Sequence, residues 1–220
     1  MCSHCIFAVS ALICQDRCVT DPVGLRQRKR QERHRRIEAA ALDLFETRGF
    51  EATTIEDIAR AADIAPRTFF SYFPTKEDVV LADYADRLNR IIDELDRRPT
   101  NEAPWAALQA AFAAVAIDYQ SQRSALIRRF TIMIDAPSVY ARSLQLQAGW
   151  EDTLSETIAV RAGTDSADPA PRLLAAAGLA AMRASLRHWL ETGHKEPLPD
   201  IVGEAFTRLS EGLGPGPTAD

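Results

Sequence analysis

Three features of this sequence predict an all-α fold. No stretch alternates apolar and polar residues for long enough to make a half-buried strand. Apolar side chains recur instead three and four residues apart in one segment after another. Capping residues, prolines and glycines cut those segments into helix-sized pieces. The pattern reads as about nine helices, with a three-helix head in residues 23–76 and a helical body in residues 77–212. Residues 1–22 and 213–220 read as tails, the second of them rich in Gly and Pro.

The head is most legible between Thr53 and Lys76. Thr54 is a good N-cap, and Asp57 three residues on completes a capping box. Ile55, Ile58 and Ala59 give the short helix that follows a narrow apolar face, and the small Ala59 lets a second helix cross closely. Asp63 sits at the sharp turn, which favours a positive φ that Asp tolerates better than most residues. Ile64 plugs the turn into the core. Pro66 suits the first position of the second helix, where no amide hydrogen is required. Phe69 and Phe73, four apart, point inward, while Arg67, Thr68, Ser71 and Tyr72 occupy a face the core does not need. Thr75 with Asp78 is a second capping box, and Lys76 lies at the positive end of the helix it opens, a place for a phosphate.

Alone, such a pair of short helices is also compatible with an ordinary helical hairpin. The flank decides between the two. From Arg26 to Arg36 the chain holds seven cations, with Arg28, Lys29 and Arg30 among them, against Glu32 alone. A basic run just upstream of this element points to a helix-turn-helix set in the major groove of double-stranded DNA, with the cations on the phosphate backbone.

With these residues in view, the head resembles the TetR family of transcriptional repressors. The resemblance begins in a helix around Ile37 to Thr47, with Ala40, Leu44 and Phe45 on one face. It continues through Arg48-Gly49-Phe50, Thr53-Thr54-Ile55, Ile58-Ala59 and the run from Thr68 to Glu77. It implies that Arg67, Thr68, Ser71 and Tyr72 face base edges and nearby phosphates, and that Thr54 and Lys76 hold phosphates on either side. Three positions depart from the family pattern. Asp63 replaces the usual turn glycine, Ala65 the usual Ser or Thr cap of the recognition helix, and Phe70 a common Tyr. The second departure removes a cap worth about 1 kcal/mol.

The body reads as a succession of amphipathic helices. Thr75 to Arg98 is expected as one long helix, with Val79, Leu81, Ala82, Leu88, Ile91 and Ile92 along it and Pro99 at its end. Asn101 to Tyr119 follows, with Trp105, Leu108, Phe112, Val115 and Tyr119 at helical intervals. Ser121 to Asp135 turns Leu126, Phe130, Met133 and Ile134 inward. A long helix from Pro137 to about Arg161 carries Leu144, Trp150, Leu154 and Ile158. After a loop from Gly163 to Pro171, two last helices run from about Arg172 to Glu191 and from about Asp200 to Glu211. Bulky residues such as Phe112, Tyr119, Phe130, Met133, Trp150 and Met182 serve a plain core as readily as a ligand pocket, and collectively they make a pocket between bundle helices plausible.

The resemblance extends, more loosely, into this body. Gln147 to Glu151, Pro171 to Ala177 and Leu186 to Leu190 are similar to the subgroup with an acyl-CoA-like ligand domain, which includes mycofactocin-system regulators. It implies a small-molecule effector held between the middle helices. It also implies a homodimer built on the last two helices, where Ala175, Ala176, Ala177, Gly178, Ala180 and Ala181 allow close approach. Two heads would then read a near-palindromic operator.

Charge and composition fit that reading. The net charge is −5, but Val23 to Lys76 carries a net +3 and Glu77 onward a net −7. A basic head on an acidic body touches DNA at one end. No apolar run approaches the ~18–20 residues that span a bilayer, so no membrane partner is expected. All four cysteines, Cys2, Cys5, Cys14 and Cys18, lie in the first 18 residues. Their absence thereafter suits a reducing cytoplasm. Their count allows a four-thiolate metal site, yet residues 1–22 read as a disordered or spurious extension, and neither metal nor cofactor is expected. An enzyme is disfavoured. His188 and His194 have no metal-ligand spacing, and there is neither a Gly-rich phosphate loop nor a nucleophile elbow. An architectural DNA binder without a ligand is disfavoured by the large apolar-cored body.

Overall fold

The computed structural model describes residues 22–164 and 168–212. Among them are ten helices and no strand: α1 (Pro22–Arg48), α2 (Ile55–Ala61), α3 (Pro66–Phe69), α4 (Glu77–Val80), α5 (Tyr84–Asp96), α6 (Pro104–Ser121), α7 (Arg123–Asp135), α8 (Pro137–Ala162), α9 (Ala170–Glu191) and α10 (Leu198–Glu211). The all-α expectation holds. The cysteines lie outside the described residues.

Contacts divide the chain into two units, Met1–Arg35 and Arg36–Asp220. The described part of the first is the start of α1, which carries Arg26, Arg28, Lys29, Arg30, Arg33 and Arg35 on exposed helix. The sequence reading began this helix at Ile37. Arg, Lys and Gln are good helix formers, and the run continues into the apolar-faced segment without a breaker.

The second unit is built on one buried cluster that includes Ile37, Phe45, Ile58, Phe69, Val79, Ile91, Phe112, Val115, Leu154, Leu186 and Phe206. In the body, α8 packs on α9, α6 is flanked by α5 and α10, and α10 also lies against α9. Gly178 of α9 lets α6 come close, because a Cβ there would stand 2.9 Å from Leu108 Cδ2 and 3.2 Å from Phe112 Cε2. Ala175 and Ala181 are buried beside it, so part of the small-residue stripe serves packing within the chain.

One expected helix is two. Residues Thr75 to Arg98 break at Leu81–Asp83, between α4 and α5. The cause comes from α7: Arg129 Nη1 donates to the carbonyls of Val79 (3.0 Å) and Val80 (2.8 Å). Those are the oxygens that a continuous helix would give to the amides of Asp83 and Tyr84. Instead the Tyr84 amide reaches Leu81 O at 3.0 Å. Smaller differences have a shared origin. Helices α9 and α10 start before Pro171 and Pro199, not after them, since proline fits the first turn of a helix. For the same reason α6 waits for Pro104.

Candidate nucleic-acid interface and ligand cavity

The turn between α2 and α3 is assembled as its residues dictate. Thr54 caps α2: its Oγ1 accepts from the Asp57 amide (3.1 Å), and Asp57 Oδ2 accepts from the Thr54 amide (3.2 Å). The Thr54 hydroxyl also donates to Asp57 Oδ2 at 2.7 Å, and this bond together with that from the Thr54 amide holds the Asp57 carboxyl below its ordinary pKa. Asp63 adopts φ 51°, and the Ile64 amide closes the turn on Ala59 O at 2.9 Å. Pro66 opens α3, where Ala65 supplies no side-chain cap. Helix α3 is short, and the chain continues in turns to Phe73. Phe69 and Phe73 are fully buried with ring centroids 5.7 Å apart, which anchors α3 from beneath.

On the outer side, Arg67 and Ser71 are exposed, Thr68 and Tyr72 half-buried, and Phe70 is 55% exposed with its ring perpendicular to that of Phe69. These five residues share one short stretch of the surface chain. Thr54 is exposed, although its hydroxyl is engaged with Asp57. Lys76 is placed differently. Its Nζ donates to Phe50 O (2.7 Å) and Thr53 O (3.1 Å) and stands 4.1 Å from the centre of the Phe50 ring. The Thr75–Asp78 capping box is formed, and Arg142 of α8 pairs with Asp78 at 3.1 Å. Arg28, Lys29 and Arg30 stand on the exposed helix of the first unit.

In the body, Phe112, Tyr119, Phe130, Met133, Trp150 and Met182 all line one cavity, together with Tyr84, Arg87, Ser143, Gln147 and Arg183. Its volume is about 40 Å³, room for about three water molecules. A second cavity of about 140 Å³ shares Phe130, Met133, Tyr140 and Arg183 with it and adds Ile134 and Arg187. Tyr84 donates its hydroxyl to Met133 Sδ at 3.3 Å. Burial pushes the Tyr119 phenol well above its ordinary pKa, so it stays a neutral hydrogen-bonding group. Arg87 is buried among the rings of Tyr84, Tyr119 and Phe130, 5.2–5.3 Å from each.

Comparison with known proteins accounts for both halves. Residues 37–82 match the N-terminal domain of bacterial regulatory proteins of the tetR family, and residues 102–214 match the MftR C-terminal domain. This chain belongs to the TetR family. A candidate mycofactocin biosynthesis transcriptional regulator, MftR of Mycobacterium tuberculosis, is 29% identical over 84% of this chain and 93% of its own. The transcriptional regulator TcmR of Streptomyces glaucescens is 34% identical over 76% of each chain. Among solved structures, the TetR-family repressor FadR of Thermus thermophilus, determined with lauroyl-CoA, superposes with a TM-score of 0.54 at 25% identity. The superposition covers 85% of this chain and 99% of that one.

For a TetR-family regulator, the residues that the sequence reading missed are charged and buried. Arg87 and Arg129 are 4% and 8% exposed, and the sequence reading singled out neither. The one available signal was the spacing of Asp83 and Arg87, a helical i,i+4 pair; the structure makes it a buried-edge ion pair at 2.6 Å. Arg129 gave no signal at all. Its partners Glu38, Val79 and Val80 lie at least 49 residues away in sequence. Among the described residues no group of three His, Cys, Asp or Glu is placed to hold a metal, and no helix is long and apolar enough to cross a membrane.

Proposed function

We propose that this protein is a homodimeric, cytoplasmic repressor, not an enzyme, that leaves its operator when an amphipathic small molecule enters the body. The observation that carries this reading is the pairing of two features in one unit. Arg67, Thr68, Phe70, Ser71 and Tyr72 are presented on α3 and the turns that follow it, anchored by buried Phe69 and Phe73. The six bulky residues of the body converge on a single apolar cavity. Arg67 and Ser71 face base edges, Thr68 and Tyr72 the adjoining bases and phosphates, and Thr54 and Lys76 flank them. Arg28, Lys29 and Arg30 supply sequence-independent attraction to the backbone.

One recognition helix covers few base pairs, so two copies reading a near-palindromic site are required for useful specificity. The outer faces of the last two helices, α9 and α10, with Leu173 of α9 70% exposed, are the surface assigned to the second copy. The ligand class follows from the apolar lining and from the acyl-CoA complex of the FadR relative: a molecule with an extended hydrocarbon chain. Because the cavity holds only about 40 Å³, such a molecule must force it open, and Met133 and Met182 are the most adaptable parts of its wall. Filling therefore favours a different body shape, which is the requirement for release.

The test is selection of bound sequences from genomic fragments, followed by titration of the recovered DNA complex with acyl compounds. A near-palindromic site released by an acyl compound is expected. Failure to recover any preferred sequence would sink the regulator.

A further inference from the structure

The charged residues that the sequence reading missed form a single file. Arg87, in the cavity wall, donates through Nε and Nη2 to the same oxygen of Asp83, at 2.9 and 2.6 Å. The other oxygen, Asp83 Oδ1, is buried and accepts no hydrogen bond. Asp83 Oδ2 also lies 3.9 Å from Nε of Arg129. Arg129 in turn donates to Glu38 of α1 and holds the carbonyls of Val79 and Val80 at the end of α4. Positive and negative charges thus alternate from the cavity, through the break between α4 and α5, to the helix that leads into the DNA-reading turn. The wall of the two adjoining cavities carries Arg87, Arg183 and Arg187 and no carboxylate. That is unexpected in a body with a net charge of −7 from Glu77 onward.

We propose that the effector ends in an oxyanion, a long-chain carboxylate in the simplest case, and that its charged end takes Arg87 from Asp83. The proposal rests on the regulator reading above and names its ligand chemistry and its first step. Nε and Nη2 of Arg87 are already given to Asp83, so an incoming carboxylate competes for the same donors and repels the charge beside them, which drives Asp83 off the guanidinium. The three aromatic faces keep Arg87 in place as a cation while partners exchange. Asp83 then turns to Arg129, with Oδ1 free to accept. Arg129 has to give up part of its hold on Glu38 or on the α4 carbonyls. Either loss unties α1 from α4, and those two elements carry the DNA-reading turn between them.

Calorimetry on the full chain with dodecanoate and dodecanol isolates the charge from the chain length. Dodecanoate should bind about 10- to 100-fold more tightly, the worth of a hydrogen bond to a charged group. Arg87→Met should bring the two probes within about threefold of each other, and Arg87→Lys should retain a preference. Equal binding of both probes to the wild type, binding of neither, or an undiminished preference in Arg87→Met overturns the proposal. If Arg87→Met does not fold, the wild-type pair and Arg87→Lys still decide. The relay is read separately on DNA recovered by genomic selection. Glu38→Gln should keep the dodecanoate preference but reduce the effect of DNA on ligand affinity from about 5- to 150-fold to below about twofold. Unchanged coupling in Glu38→Gln removes the relay. Failure to recover specific DNA condemns the regulator reading instead, while the calorimetric comparison still judges the ligand class.

Discussion

Lys76 and Arg67 are cations in one helix-turn-helix with different surroundings, and substitution should separate them. Lys76 holds two carbonyls of the turn before α2, so Lys76→Ala should lower folding stability by about 1–3 kcal/mol, read as a fall in Tm. Arg67 is exposed, and Arg67→Ala should leave Tm unchanged. If it pairs with a guanine, the substitution should cost about 1–3 kcal/mol of specific binding and relax preference at that base. Equal losses on all sequences would show that Arg67 meets only phosphate. Asp57 makes a pH-dependent contribution. Its pKa is lowered in the folded protein by the bonds from Thr54, so its stabilisation is full above the unfolded carboxylate pKa, about 4, and disappears as pH falls through the lowered value. The Tm difference between wild type and Asp57→Asn should therefore shrink on acidification below about pH 4. A constant difference across that range would mean that the carboxylate charge contributes nothing to the cap.

At the scale of elements, legibility followed locality. The capping boxes at Thr54 and Thr75, the positive φ at Asp63 and the inward Phe69–Phe73 pair depend on neighbours a few residues away, and each was readable. Helical periodicity put the six cavity residues on the inward side, where they lie, but it put Ile134 there too, and Ile134 is 44% exposed. The break between α4 and α5 was not, since its cause is Arg129, about 50 residues downstream, competing for two carbonyls. Gly178 shows the same limit. Its small size was evident, but its facing of α6 within the chain depends on how α9 packs. Gly178→Ala adds a methyl 2.9 Å from Leu108 Cδ2, and Leu108 is fully buried, so the crowding has little outlet. Overpacking of about 1–3 kcal/mol should outweigh the 0.5–1 kcal/mol that alanine gains over glycine in a helix. A net loss of about 1 kcal/mol, or about 2–4 °C in Tm, is expected. A rise in Tm would show that α6 and α9 can part without penalty.

For the whole molecule, the decisive quantity is the coupling between the two ends. The cavity of about 40 Å³ is too small for a hydrocarbon chain, so a ligand that enters must prefer a body conformation with more room. If that conformation presents the DNA-reading face less well, the ligand weakens DNA binding, and DNA must weaken ligand binding by the same factor. A 100-fold effect corresponds to about 2.7 kcal/mol, within the usual range for such coupling. Phe130 tests the direction of the linkage, since it lines both adjoining cavities. Phe130→Trp adds bulk where the ligand must go, and it should weaken ligand binding in the absence of DNA. It competes only for the expanded form, so DNA affinity without ligand should stay at the wild-type value. The titration is run four ways, with and without recovered operator, on wild type and on Phe130→Trp. A ligand affinity that ignores DNA in the wild type would mean that the cavity and the DNA-reading face are not linked, however well each one binds.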